Sequence, residues 1–143
     1  MREAWLNDAR QIKALYCTQN ALEGFEDTLR EANSKGLERP APTILEKAQL
    51  DKTLPAGAVH QGLALVCGGD MDVGLEDILI RERDQERSLI VILDQVTDPH
   101  NVGAIIRSAS AVGAHGMILQ KKHAPELNGV LAKTACGGLE HLP

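Results

Sequence analysis

The stretch LIVILDQVTDPHNVGAIIRSASAV (residues 89–112) constrains the fold more than any other part of the chain. Its unalternating apolar run, Leu89-Ile90-Val91-Ile92-Leu93, is the pattern of a strand buried on both faces, as in a parallel sheet covered by helices. Asp94 ends the run. A short polar loop with Pro99 follows, and Asn101 is placed to cap a helix over 101–112 that carries a single charge, Arg107. A lone arginine and a capping asparagine beyond a buried strand sit where open α/β sheets present chemistry to a ligand.

The flanking sequence extends this pattern. GMILQ (116–120) reads as a second strand and residues 125–136 as a second helix, giving the βαβα opening of a doubly wound domain. Two strands and two helices cannot cover both faces of such a sheet, so residues 89–143 read as half a domain. The first half reads as helix over 2–9, strand over Ile12–Cys17, and helix from Asn20 to about Ser34. Leu22, Phe25, Leu29 and Ala32 make one apolar stripe on that helix, and Gly36 stops it. Strand Thr43–Leu45, a short helix over 47–53, strand Gly62–Cys67 and a GGD turn at 68–70 complete a β-α-β-α-β unit. The block RERDQERS (81–88) carries both signs of charge and reads as a linker. The expected division is therefore 1–80, a linker over 81–88, and 89–143.

Composition narrows the function classes. No apolar run approaches the roughly 18 residues of a membrane span, and MREAWLNDAR lacks a signal segment. Cys17, Cys67 and Cys136 are odd in number and widely spaced, which argues against a disulfide framework or a zinc site. The expected setting is the cytoplasm, without a metal. The net charge of −5 argues mildly against nucleic acid, but all of it lies in residues 1–88. Residues 89–143 are neutral and hold four of the five histidines.

At 100° per residue, Ile105, Ile106, Ala109, Val112 and Gly113 fall on one side of the 101–112 helix as its core stripe. Arg107 points the other way, among Gly103, Ala104, Ser108 and Ala111. A face paved with small residues expects close approach by a second subunit or a ligand, with Arg107 able to fork two hydrogen bonds to a phosphate or ribose oxygen. The plainer readings are a surface arginine at 107, a mere cap at Asn101, a solvated loop at His100, and turn formers at Asp94 and Asp98.

On these residues the chain resembles a known family. DPHNVGAIIRSASAVGAHGMIL (98–119) is similar to the first signature of the SpoU (TrmH) RNA ribose methyltransferases, roughly Asn-x-Gly-Ala-x-x-Arg-x-Ala. Leu93 to Thr97 and LAKTACGGLEHLP (131–143) also fit. The match is closest to the bacterial branch that methylates a guanosine ribose in large-subunit ribosomal RNA. The first half, with VHQGLALV (59–66), resembles that branch's small L30e-like substrate-binding domain. No GxGxxG is present, which argues against a dinucleotide-binding domain.

The resemblance implies an α/β fold: an L30e-like α/β/α domain followed by the first half of a SPOUT-type (α/β knot) methyltransferase domain. It implies transfer of a methyl group from S-adenosylmethionine to an RNA 2′-hydroxyl by a homodimer. Asn101 and Arg107 match the family's active-site asparagine and arginine, in catalytic and substrate-binding roles. His100 is a further substrate-binding candidate, as are Lys121 and Lys122, which with His123 lie on the rim beyond the second strand; a solvated loop is the plain reading there. A guanidinium with a pKa above about 12 is a poor base, so Arg107 is expected to stabilise alkoxide charge and hold a phosphate. The family's later signatures and knot would lie beyond Pro143, and a glycine–histidine segment would precede the first helix. The expectation is a fragment that binds no cofactor and is inactive alone. Two other readings stay open: a non-catalytic RNA-binding module, and a generic α/β ligand-binding domain.

Overall fold

Short strands from the first half and the continuous apolar run of the second form two different sheets. The computed structural model describes residues 1–68, 73–120 and 122–143. They divide into two compact units, Met1–Gly69 and Asp70–Pro143.

The first unit runs α1 (Arg2–Leu6), β1 (Gln11–Cys17), α2 (Gln19–Glu23), α3 (Glu26–Ser34), β2 (Thr43–Ile44), α4 (Lys47–Thr53) and β3 (Leu63–Gly68). Its sheet has the order β2-β1-β3, with β1 parallel to β2 and antiparallel to β3. The single helix expected over 20–34 is two helices. The break falls at Gly24 and Phe25, which keep right-handed backbone but form a turn, with the Phe25 N–H on the Leu22 carbonyl at 2.9 Å; the Phe25 ring is buried edge-on against Trp5, with centroids 5.9 Å apart. Trp5, Leu15, Phe25 and Ala32 form the core of this unit. Arg39 fastens α1 to it, donating to the carbonyls of Trp5 at 2.7 Å, Asn7 at 2.6 Å and Arg10 at 3.3 Å. Cys17 is buried, and burial pushes its thiol pKa up, so it stays protonated. The GGD turn expected at 68–70 includes Gly69 and Asp70, which lie outside the described residues.

The second unit runs α5 (Leu75–Arg81), β4 (Ile90–Leu93), α6 (Pro99–Ala111), β5 (Gly116–Leu119), α7 (Gly129–Thr134) and a 3₁₀ turn at Gly138–Glu140. β4 and β5 pair in parallel, Ile90 against Gly116 through Leu93 against Leu119. Val102, Ile106, Ala109, Met117, Leu131 and Ala135 are central to its core. The charged stretch 81–88 is tied to this sheet through His115. Nδ1 of His115 accepts the Leu89 N–H at 3.0 Å, and its Nε2 lies 3.7 Å from Glu82, which also accepts from the Ser88 hydroxyl at 3.1 Å.

Three expectations are corrected here. β4 is not covered on both sides: Leu93 is buried, but Ile92 is 70% exposed. Asn101 is not the helix cap. Asp98 is, accepting the His100 N–H at 3.1 Å, because Pro99 takes the first helical position and leaves the cap to the residue before it. The core stripe of α6 is also rotated. Val102, Gly103, Ile106 and Ala109 are buried, whereas Val112 is 70% exposed.

Gly103 explains the rotation. A Cβ there would meet Thr134 Cβ at 2.7 Å, the Leu131 carbonyl oxygen at 2.9 Å and the Ala135 nitrogen at 3.2 Å. The neighbour that demands a small residue is thus α7 itself. Gly103→Ala is expected to destabilise the second unit by about 1–3 kcal/mol through overpacking, as a fall in the urea midpoint followed by far-UV circular dichroism. An unchanged midpoint would show that α7 yields without cost.

Candidate functional site

β4 delivers the chain to the site through a strained turn. Gln95, two residues past the strand, has φ 58°, a left-handed conformation that costs a non-glycine residue about 1–2 kcal/mol. The chain then reverses into α6, whose first turn is fixed by the Asp98 cap. His100 and Arg107 are seven residues apart, so they share one line of the helix about 10 Å apart along its axis. Asn101 lies about 120° around from Arg107.

All three side chains are exposed. Among the described residues, Arg107 has no hydrogen-bond or ion-pair partner, and neither has the Asn101 side chain. Because Asp98 caps the helix, the Asn101 amide is not consumed in doing so. Ala104 and Ala111 lie near the Arg107 line and carry no charge, so Arg107 is the one charged residue on this face of α6. Of the small residues expected around it, Gly103 belongs instead to the buried seam with α7.

Thr134 on α7 is a member of this neighbourhood that the helix pattern missed. Its hydroxyl donates to the Val130 carbonyl at 2.9 Å and lies 3.5 Å from Nδ1 of His100. With the hydroxyl proton committed, that second contact is a hydrogen bond only when Nδ1 carries a proton. The available signal was the segment LAKTACGGLEHLP, which contains Thr134. Of the other candidates, Lys122 is exposed and Lys121 lies outside the described residues.

On its other flank α6 borders an open trough of about 350 Å³ lined by Val91, Ala104, Ile105, Ser108, Ala109 and Val112. It offers one hydroxyl and no group to hold a carboxylate, an ammonium or an adenine edge. Among the described residues no cluster of His, Cys, Asp or Glu could hold a metal, and no helix is long and apolar enough to cross a membrane.

Comparison with known proteins bears on this segment. Residues 88–143 match the SpoU rRNA Methylase family. The chain is 37% identical over 123 residues to the 23S rRNA (guanosine-2'-O-)-methyltransferase RlmB of Neisseria meningitidis, covering 85% of this chain and 48% of that protein. It is 30% identical over 140 residues to the putative TrmH family tRNA/rRNA methyltransferase YacO of Bacillus subtilis, covering 96% of this chain and 54% of that one. The crystal structure of the SpoU methyltransferase AviRb from Streptomyces viridochromogenes in complex with AdoMet superposes with a TM-score of 0.66 at 25% identity, over 98% of this chain and 49% of that one. The chain thus spans about half the length of the curated relatives it matches. The match to the SpoU rRNA Methylase family, over residues 88–143, takes in β4, α6 and α7, and with them Asn101 and Arg107.

Proposed function

We propose that this chain supplies the acceptor side of an S-adenosylmethionine-dependent 2′-O-methylation of RNA, with a guanosine ribose of large-subunit ribosomal RNA as substrate. The observation that carries the reading is Arg107: an exposed guanidinium without a partner among the described residues, the one charged residue of α6, within the segment that matches the SpoU family.

In this reading Arg107 holds the phosphate next to the target ribose with its planar fork. The same cation offsets negative charge as the 2′-hydroxyl loses its proton. Asn101 places the ribose by a hydrogen bond from its unused amide. His100, on the same helix line, and Lys121 and Lys122 beyond β5 contact flanking phosphates. The trough beside α6, with Ser108 as its one polar side chain, does not suit the amino acid and nucleoside of a methyl donor. No step is assigned to residues of this chain on the donor side. The complete enzyme is proposed to be a homodimer acting in the cytoplasm.

Two titrations test the reading. Bacterial 23S ribosomal RNA is expected to bind residues 1–143 with an affinity that falls steeply as salt rises. Calorimetry with S-adenosylmethionine is expected to give no binding heat. A chain that ignores the RNA sinks the acceptor reading, and stoichiometric cofactor heat sinks the assignment of the donor site to other residues. The chain would be a non-catalytic RNA-binding module if it held the RNA while Asn101 and Arg107 had no bearing on methyl transfer.

A further inference from the structure

Five of the eight left-handed backbone positions among the described residues are glycines, for which that conformation carries no steric cost. The other three are Gln95 at φ 58°, His123 at φ 65° and Cys136 at φ 49°. Cys136 has a local reason: it stops α7, with its N–H on the Lys133 carbonyl at 3.2 Å. Gln95 and His123 end no helix. The turn at Gln95 brings Val96 back against the core of the second unit, but glycine would make that turn without strain. Asparagine or aspartate eases such a turn by hydrogen-bonding locally. Gln95 makes no such bond: both it and His123 are exposed, and among the described residues neither side chain has a hydrogen-bond or ion-pair partner. Strain is thus carried at two positions for side chains that the fold itself does not use.

Strain of this kind collects where a side chain serves a ligand, and the placement of these two fits that use. β4 and β5 are parallel and end side by side, Leu93 against Leu119. Gln95 comes two residues after the first and His123 four after the second. Both therefore stand beyond the carboxyl edge of the sheet, the edge from which the chain enters α6 and its first turn with His100 and Asn101. A carboxamide presents a donor and an acceptor in one plane, the complement of a nucleobase edge. An imidazole presents a flat face on which an unstacked base can lie. Residues 70–143 contain no tryptophan, tyrosine or phenylalanine, so imidazoles are the flat rings that this unit has. His115 is committed to Leu89 and Glu82, whereas His123 is not held by any described residue.

We propose that Gln95 and His123 determine which base is accepted: His123 stacks on the base of the target nucleotide and the Gln95 amide hydrogen-bonds its edge. The proposal rests on the acceptor reading above and adds to it the choice of base. Arg107 and Asn101 address phosphate and sugar, which every nucleotide shares, so discrimination needs other groups. Guanine, with N1–H donating and O6 accepting, is matched by the Gln95 amide in a single plane.

The test uses residues 1–143 and fluorescein-labelled stem–loop RNAs that differ in one loop base, with binding followed by anisotropy across a salt series. The wild type is expected to prefer the guanine loop by about five- to tenfold. Gln95→Gly is expected to abolish that preference at an unchanged salt slope. It is also expected to raise the urea midpoint followed by far-UV circular dichroism, because it relieves the strained turn. A variant that is more stable and less selective does not owe its loss to unfolding. His123→Ala is expected to weaken every loop variant by about five- to tenfold without changing the slope, and His123→Phe to restore the affinity. If the wild type binds the RNA without base preference, or Gln95→Gly keeps the preference, base reading by these residues is refuted while the acceptor reading stands. A lower midpoint in Gln95→Gly would show that the side chain serves the fold, and a reduced slope in His123→Ala would place His123 on a phosphate; each counts against the proposal. If the wild type ignores every probe, both readings fall.

Discussion

Arg107→Ala is expected to lower methyl transfer by about 10²–10³-fold when residues 1–143 are joined to the second half of the Neisseria meningitidis relative, the range for loss of one preorganised donor at a developing oxyanion. The readout is tritiated methyl incorporated into 23S ribosomal RNA from S-adenosylmethionine. The guanidinium stands on the exposed side of α6 with no partner among the described residues, so removing it leaves no buried carboxylate unpaired and no cavity. The variant's thermal midpoint is expected to match that of the parent. Arg107→Lys keeps the charge and loses the planar fork, and is expected to recover only part of the rate. Near-normal turnover with lysine removes the bidentate role. An inactive chimera with Arg107 intact counts against the acceptor-side reading itself.

Trp5→Ala carries the largest expected cost to stability, about 3–5 kcal/mol for a fully buried tryptophan in a packed core. Trp5 is 1% exposed and packs with Leu15, Phe25 and Ala32, with Leu6, Leu29 and Leu63 around them. Its loss also deprives Phe25 of its edge-on partner. Among the described residues the indole Nε1 is buried without a hydrogen-bond acceptor, and that unmet donor partly offsets what the ring contributes. Trp5→Phe therefore removes the unmet donor while keeping most of the apolar volume, and is expected to cost well under half as much as alanine. Urea unfolding followed at 222 nm by circular dichroism gives both values. Equal losses for the two variants would mean that cavity volume does not dominate at this position.

The sequence made the α/β order and the position of Arg107 legible because both rest on periodicity, which survives without tertiary knowledge. What it hid depends on neighbours. A helical projection ranks residues by apolarity, so it set Gly103 beside Arg107; only the close approach of α7 shows that glycine to be buried. Asp98 and Asn101 are both good caps, and the weight of Pro99 at the first helical position decides between them. The break at Gly24–Phe25 was invisible because Phe25 fits the helical stripe and is buried in the same core as Leu29 and Ala32, so the apolar pattern runs on across the turn. Thr134 was missed because its link to His100 crosses 34 residues.

The aromatic residues carry a practical consequence. Trp5, Tyr16 and Phe25 are the only ones in the chain, and all belong to the first unit. Intrinsic fluorescence and near-ultraviolet absorption are thus blind to the second unit, which contains α6. A melting curve read by tryptophan emission reports the first sheet alone, while the far-ultraviolet signal sums both. Divergence of the two curves in one sample would mean that the unit bearing Arg107 loses its structure independently of its neighbour.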